Sequence, residues 1–284
     1  MTVKNAKPQF RDYPRWLSDK LNLTYTEWEH YEEDSDQFWV EQEELYEDYT
    51  KLLRTRFYES AFWQSLISNL RNESERYLIN GAYPLLALEP ENISVVRKPW
   101  DSFFHKTYRF NVLQNKSWPR PPLKFQSRWV TPNNWFAVIP DVIRTTIIVR
   151  YFDGFDIVKD IVAATAKASK LGKPSVSHEA RPEGYYAIHQ TVYVPLSPRV
   201  DETIVVPVEI QICTQIQDVL RALTHKLYED RRQVEKTQRA LPVSWVLEHE
   251  GFVPNHLGHM LHLADGLIMK SIEAQRKGKS NVGK

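Results

Sequence analysis

The sequence of 284 residues contains a single cysteine, Cys213, and no uninterrupted apolar run of the roughly 18 residues that a membrane-spanning helix needs. One cysteine excludes a disulfide scaffold and a zinc site built from cysteines, and it is typical of a protein in a reducing compartment. The first ten residues, MTVKNAKPQF, lack the apolar core of a secretory signal. We therefore expect a cytoplasmic protein that has no membrane partner.

The overall composition is that of a folded protein. Hydrophobic residues make up 42% of the chain and charged residues 26%, which excludes intrinsic disorder as the general state. The length fits one large or two small domains. We expect a mainly helical region over 1–90, a core domain over 91–235 and a helical extension over 236–284 that packs on the core.

The formal net charge of +1 conceals a strong segregation along the chain. Residues 26–50 hold eleven acidic residues and no lysine or arginine, whereas residues 93–150 hold ten basic and two acidic residues. The acidic run is either a solvated face or a surface with a role. Because tryptophans are interspersed in the basic stretch, we interpret that stretch as a phosphate-binding surface.

Hydrophobic periodicity predicts the elements. Residues 41–79 contain no proline or glycine and carry apolar residues at helical spacing, which predicts one or two long helices. Further strands are predicted over 142–151, 185–194 and 203–212, and further helices over 157–171, 217–232 and 257–275. This order predicts an α/β (α+β) fold, with a mixed sheet of about five strands flanked by helices.

Two short segments in the basic stretch carry groups suited to phosphates. In a helix, Ser102 and Lys106 would share one face, with Lys98 one turn before Ser102. Cations and a hydroxyl on one face suit a polyphosphate. Asp141 stands at the mouth of the strand over 142–151, where a carboxylate is either a turn residue or a ligand.

Two further segments lie on the later strands. Gly184 permits a sharp turn before Tyr185, which offers a flat face for a nucleotide base. Alternation places Glu209, Gln211 and Cys213 on one face of the extended segment 208–214. A carboxylate among buried hydrophobic residues needs a partner such as a cation or a metal ion.

Together these groups predict a phosphoryl or pyrophosphoryl transferase. Asp141 and Glu209 on neighbouring strands can hold Mg²⁺ (or Mn²⁺), which favours one or two carboxylates together with substrate phosphates. The basic helix can bind a nucleoside triphosphate, and the tyrosine can stack on a second base. Such chemistry needs little covalent participation by the protein.

Several motifs of this region resemble the synthetase domain of the RelA/SpoT family. These are Glu-Gly-Tyr-Tyr-Ala-Ile-His (183–189), Val-Glu-Ile-Gln-Ile-Cys-Thr (208–214) and Thr-His-Lys-Leu-Tyr (224–228). The resemblance implies a nucleotidyltransferase-like fold and transfer of the β,γ-pyrophosphate of ATP to a ribose 3′-hydroxyl. Where the family has arginines, this chain has Thr146 and Cys213.

The resemblance implies a role for each matching residue. Asp141 and Glu209 would be the metal carboxylates and, with Gln211, the catalytic residues. The residues implied in ATP binding are Arg97, Lys98, Ser102, Lys106 and Arg144. Those implied in acceptor binding are Arg181, Tyr185, His189, His225 and Tyr228.

Other motifs are similar to a branch of toxic small alarmone synthetases. They are Trp-Val-Thr-Pro-Asn-Asn-Trp (129–135) and Leu-Gly-His-Met-Leu-His (257–262). This implies a translation-inhibiting toxin that pyrophosphorylates the 3′-CCA end of tRNA, neutralised by an antitoxin in trans. Its basic surface would take the RNA backbone through Lys116, Arg120, Lys124 and Arg128.

Four questions stay open at the level of sequence. The same chemistry on GDP or GTP would give (p)ppGpp, and a degenerate site would make the chain a binding module only. His256, His259 and His262 share a helical face, which is compatible with a metal but fits packing better, because no cysteine or carboxylate pair accompanies them. The acidic run within residues 1–90 could mask the basic stretch.

Overall fold

The computed structural model of the chain describes residues 6–21, 31–80, 83–125, 127–181, 184–222 and 252–282. Its helices are α1 (Tyr13–Lys20), α2 (Tyr31–Glu59), α3 (Ala61–Asn80), α4 (Trp100–Tyr108), α5 (Trp135–Val138), α6 (Gly154–Ala168) and α7 (Phe252–Val282). Its strands are β1 (Val95–Arg97), β2 (Ile143–Val149), β3 (Ser175–Ala180), β4 (Tyr186–Leu196) and β5 (Ile204–Thr214).

The five strands form one sheet in the order β1-β2-β5-β4-β3. β3 pairs antiparallel with β4, with Ser175 opposite Thr191 and Ala180 opposite Tyr186. The predicted fold class, a mixed sheet of five strands flanked by helices, is confirmed.

The central position of β5 explains its composition. Val206, Val208, Ile210 and Ile212 are buried, and Cys213 on the opposite face is buried too. A strand with neighbours on both sides and helices over the sheet is apolar on both faces, so the half-buried Glu209 stands out.

The predicted long helices are observed as a pair. α2 ends at Glu59, and α3 begins at Ala61 after a break at Ser60. α6 begins three residues before the predicted position, and α7 includes the predicted helix over 257–275. Residues 215–222 are helical, while residues 223–232 of that predicted helix lie outside the described residues.

The chain divides into two compact units, each formed from three stretches. Unit 1 comprises residues 1–60, 95–144 and 193–208, and unit 2 comprises residues 61–94, 145–192 and 209–284. The domain boundaries expected from the sequence stay a prediction. Among the described helices, none combines the length and the apolar character that crossing a bilayer would need.

Candidate active site

In unit 1, the chain passes from β1 into α4 through Lys98 and Pro99. The Lys98 backbone amide donates a hydrogen bond to the Val142 carbonyl at 3.0 Å, so Lys98 lies beside the start of β2. α4 begins only at Trp100 because Pro99 caps it and disfavours helical geometry at Lys98. The helical position predicted for Lys98, one turn before Ser102, is therefore wrong, whereas Ser102 and Lys106 do lie in one helix.

Asp141 is the centre of a buried cluster of charges. Its Oδ2 accepts a hydrogen bond from Lys98 Nζ at 2.9 Å, and its Oδ1 lies 2.7 Å from Lys106 Nζ. The three side chains are 7% (Lys98), 13% (Lys106) and 10% (Asp141) exposed. Two cations thus converge on one carboxylate, which leaves a local excess of positive charge.

The protonation of this cluster follows from its contacts. Burial by itself would raise the pKa of Asp141, but the charges and hydrogen bonds of the two lysines hold that pKa well below its ordinary value. Burial lowers the pKa of Lys98, and the nearby Lys106 and Arg144 lower it further, while Asp141 opposes this. Asp141 is therefore ionised, and its negative charge helps to keep the buried Lys98 protonated.

The other predicted ATP-binding residues lie in the same unit as this cluster. Ser102 is half-buried on α4, and Arg144 is half-buried on β2. Arg97 is held by α2, because its Nη1 donates to the Glu47 carboxylate at 2.7 Å, the Glu47 carbonyl at 3.1 Å and the Thr50 hydroxyl at 3.0 Å. The acidic run thus reaches one of the predicted phosphate ligands.

A second polar cluster lies in unit 2, where β4 and β5 are neighbours. Gln211 Nε2 donates to Glu209 Oε1 at 2.6 Å, and His189 Nδ1 lies 3.7 Å from Glu209 Oε2. His189 Nε2 is also 3.0 Å from the Tyr185 hydroxyl. The structure therefore brings together four predicted site residues, Tyr185, His189, Glu209 and Gln211.

Arg181 lies over the aromatic face of Tyr185. Its guanidinium carbon is 5.6 Å from the ring centroid, and its Nε donates to Glu179 at 2.9 Å. Burial raises the pKa of the Tyr185 hydroxyl above its ordinary value, so this group is a neutral hydrogen-bonding partner. A planar ligand on this tyrosine would also meet the arginine, as in cation–π contacts.

Arg221 is the residue that sequence reasoning missed. Its Nη1 donates to Thr146 Oγ1 at 3.2 Å and to Gln211 Oε1 at 3.3 Å. Its positive charge acts on Tyr185 and on Cys213, one of the two positions at which the RelA/SpoT sequence pattern has arginine. This guanidinium comes from the helical residues that follow β5, and only the long-range pairing reveals it.

The remaining residues singled out from the sequence are two acceptor candidates, four basic residues and the cysteine. His225 and Tyr228 lie outside the described residues. Lys116, Arg120, Lys124 and Arg128 are all exposed, as a surface for an RNA backbone requires. Burial raises the pKa of the Cys213 thiol to about 12, so this cysteine is an unreactive core residue.

Two of the three histidines of α7 contact Tyr186 at the start of β4. The His262 ring is stacked on Tyr186, and His259 Nδ1 lies 2.7 Å from the Tyr186 hydroxyl. His256 Nδ1 faces the Phe252 carbonyl at 2.8 Å. Within the part of the chain that the structure describes, no group of three or more His, Cys, Asp or Glu residues could hold a metal ion.

The carboxylates nevertheless fit one kind of metal. Mg²⁺ prefers oxygen ligands and is commonly held by one or two carboxylates together with substrate phosphates. Asp141 in unit 1 and Glu209 in unit 2 each supply carboxylate oxygens of this kind. The donor chemistry of each residue therefore suits a magnesium ion that arrives with substrate phosphates.

Comparison with known proteins gives similarity at the level of solved structures. No protein-family model matches the sequence, and no curated protein matches it either. The chain is similar to small alarmone synthetase 1 of Bacillus subtilis bound to its product pppGpp, at 18% identity and a TM-score of 0.48 over 78% of this chain and 96% of the other. Small alarmone synthetase 2 of B. subtilis is 16% identical, with a TM-score of 0.49 over 83% of this chain and 98% of the other. A GTP pyrophosphokinase family protein of Streptococcus pneumoniae is 16% identical, with a TM-score of 0.47 over 77% of this chain and 94% of the other.

Proposed function

We propose that this chain is an ATP-dependent pyrophosphotransferase, which moves the β,γ-pyrophosphate of ATP to a ribose 3′-hydroxyl and releases AMP. The observation that carries the proposal is the convergence of Lys98 and Lys106 on Asp141 in a buried site. It is supported by the resemblance to the RelA/SpoT synthetase domain, which implies ATP binding by both lysines, metal binding by Asp141 and acceptor binding by Tyr185.

Lys98 and Lys106 are the groups suited to hold the triphosphate. In the free protein their positive charge is balanced in part by the single carboxylate of Asp141. Phosphate oxygens of ATP would replace that carboxylate as the partners of the two lysines, which would hold the triphosphate in one position. Asp141 and Glu209 would hold Mg²⁺ (or Mn²⁺), which when bound neutralises charge on the phosphates.

Glu209 is the residue suited to receive the proton of the acceptor hydroxyl. Its Oε1 accepts a hydrogen bond from Gln211, and this bond orients the carboxylate. Oε2 lies beside His189 and can accept the proton. The 3′-oxygen then forms a bond to the β-phosphorus, the bond from that phosphorus to the α,β-bridging oxygen breaks, and AMP leaves.

Tyr185 and Arg181 are the groups suited to bind the acceptor base. The ring and the guanidinium form one stacked pair beside His189. A base that stacks there brings its own ribose towards Glu209 along β4 and β5. Stacking is tolerant of base identity, so the surface beyond this pair decides which acceptor binds.

We propose the 3′ end of tRNA as that acceptor, in a protein that stops translation and is neutralised by a partner in trans. The supporting observation is the exposure of Lys116, Arg120, Lys124 and Arg128, which a mononucleotide acceptor would not need. The alternative acceptor is GDP or GTP, and a chain that only binds ATP is the remaining alternative.

The test uses γ-phosphate-labelled ATP with tRNA or with GDP and GTP, beside the variant Glu209→Gln. We expect label on tRNA in the wild type and none in the variant. Periodate-oxidised tRNA, which lacks the 3′-hydroxyl, is the control and should stay unlabelled. Label on guanine nucleotide alone would replace the tRNA proposal by alarmone synthesis, and ATP binding without any transfer would contradict both.

A further inference from the structure

The helix α7 meets the chain just before β4 at a contact between two glycines. A β-carbon built on Gly258 would lie 2.6 Å from the Gly184 carbonyl oxygen and 2.8 Å from its α-carbon. Gly184 itself has a φ of +78°, a conformation that other residues rarely adopt. The backbones therefore touch directly, and the turn that leads into Tyr185 is pressed against α7.

A second contact lies one step further along β4. The ring of His262 stacks on Tyr186, with centroids 3.5 Å apart and ring planes within 3°. Phe152 meets the same histidine edge-on at 4.9 Å. His259, one turn earlier on α7, lies within hydrogen-bonding distance of the Tyr186 hydroxyl. The residue directly after Tyr185 is thus fixed by side chains of α7.

A third contact ties α7 to the end of β5. Thr214 donates a hydrogen bond to Asp265, which is fully buried. Gln217, also buried, points its amide at the Gly258 carbonyl at 3.5 Å. The strand that carries Glu209 and Gln211 and the turn that carries Tyr185 are therefore both anchored on one helix.

From these three contacts we infer that α7 belongs to the acceptor side of the site, with Gly258 and His262 as positioning residues that set where Tyr185 presents its ring. The inference rests on the proposed function, because it assigns α7 to the binding of the same acceptor. The helix acts through the turn at Gly184 and through Tyr186, not by touching the reacting atoms. A side chain larger than hydrogen at residue 258 would displace that turn, and this holds for any acceptor.

The test compares two glycine variants of the same helix. Gly258→Ala places a methyl group into the backbone of Gly184, whereas Gly266→Ala meets nothing within 4 Å and serves as the control. Loss of a base–aromatic stack weakens binding by roughly fivefold to a hundredfold, so we expect the KM for the acceptor to rise about tenfold in Gly258→Ala. The KM for ATP should stay unchanged, and Gly266→Ala should match the wild type in both.

Two further variants decide the outcome even where Gly258→Ala does not fold. His262→Phe keeps a ring stacked on Tyr186, and His262→Ala removes it. We expect a raised acceptor KM in His262→Ala and near wild-type values in His262→Phe. Equal acceptor KM values in these variants and the wild type would overturn the inference, as would parallel rises in both KM values.

Hydrogen exchange gives a readout that does not depend on activity. Gly258→Ala should accelerate amide exchange over residues 184–190 relative to Gly266→Ala, and unchanged exchange there would overturn the positioning role. A wild-type protein that transfers nothing refutes the proposed function alone, because the exchange comparison still tests the contact. Transfer by the wild type with unaltered kinetics in Gly258→Ala refutes the inference alone.

Discussion

Lys98 reaches Asp141 across 43 positions of sequence, and its ammonium donates a hydrogen bond of 2.9 Å to a carboxylate that Lys106 contacts as well. Removing ions from water is costly, and a buried ion is tolerated when its partner is in place. Two cations therefore surround one anion in a place where the sequence predicts a polyphosphate site.

The first prediction concerns this balance. Asp141→Asn leaves Lys98 and Lys106 buried without a counter-charge, whereas Lys98→Met leaves one matched ion pair. We expect Asp141→Asn to lower the free energy of unfolding by about 3–5 kcal/mol and Lys98→Met to lower it by less, as urea denaturation would measure. Pyrophosphate transfer should be lost in Asp141→Asn. An Asp141→Asn protein at least as stable as Lys98→Met would contradict the assignment of the cluster.

The second prediction concerns the ion pair between Arg97 and Glu47 on α2. Glu47 and Arg97 form an ion pair of 2.7 Å with side chains 34% and 23% exposed. Exposed pairs contribute up to about 1 kcal/mol, which corresponds to about fivefold in affinity. If Arg97 binds phosphate, Glu47→Gln should lower the KM for ATP by up to about fivefold. Glu44→Gln, an exposed acid of the same helix, is the control and should leave it unchanged; a raised KM in Glu47→Gln would make Arg97 structural.

The sequence predicted those elements of the fold that have a clear local pattern of residues. The β-branched run of β2 and the strict alternation of β5 are local signals, and both strands were predictable. β3 was not, because Ser175–Ala180 is an exposed and largely polar edge strand. β1 is only three residues long, too short for a period to show.

In the candidate site, too, local patterns were predictable and contacts between distant parts of the sequence were not. The acceptor and catalytic roles of Tyr185, His189, Glu209 and Gln211 were implied by short local motifs, and the structure brings these four residues together. The start of α4 was misplaced at Lys98, although Pro99 carries the local signal for it. The contact between Arg97 and Glu47, and the role of Arg221, depend on pairings 50 and 75 positions apart, which no local pattern encodes.

The third prediction concerns Arg221. Its guanidinium bonds Gln211 and Thr146, and its charge acts on Tyr185. Charged hydrogen bonds contribute about 1.5–3 kcal/mol, and partial exposure reduces this, so we expect Arg221→Met to raise the acceptor KM by about tenfold. Arg150→Met removes a similar exposed Arg–Gln contact, that with Gln215, and should leave the acceptor KM unchanged. A wild-type acceptor KM in Arg221→Met would exclude this cation from the site.

The fourth prediction concerns pH and the anchoring of α7. Burial raises the pKa of Asp265 above 3.8, although the hydrogen bond from Thr214 lowers it in part. The folded state therefore binds a proton more tightly than the unfolded state, and the wild type loses stability as pH rises from 3.8 through the raised pKa. Asn cannot ionise and still accepts the Thr214 hydrogen bond, so Asp265→Asn should gain stability over the wild type as pH rises. Thermal unfolding of both proteins across this pH range measures the difference, and a constant difference would contradict it.

The most direct test of the central claim is the fate of the adenosine nucleotide. ATP labelled in the adenine ring is incubated with the protein, Mg²⁺ and either tRNA or GDP, and the nucleotides are separated. Transfer of pyrophosphate predicts AMP in a one-to-one ratio with modified acceptor, and no AMP with Asp141→Asn. Formation of ADP instead, or AMP that appears without any modified acceptor, would contradict a pyrophosphotransferase.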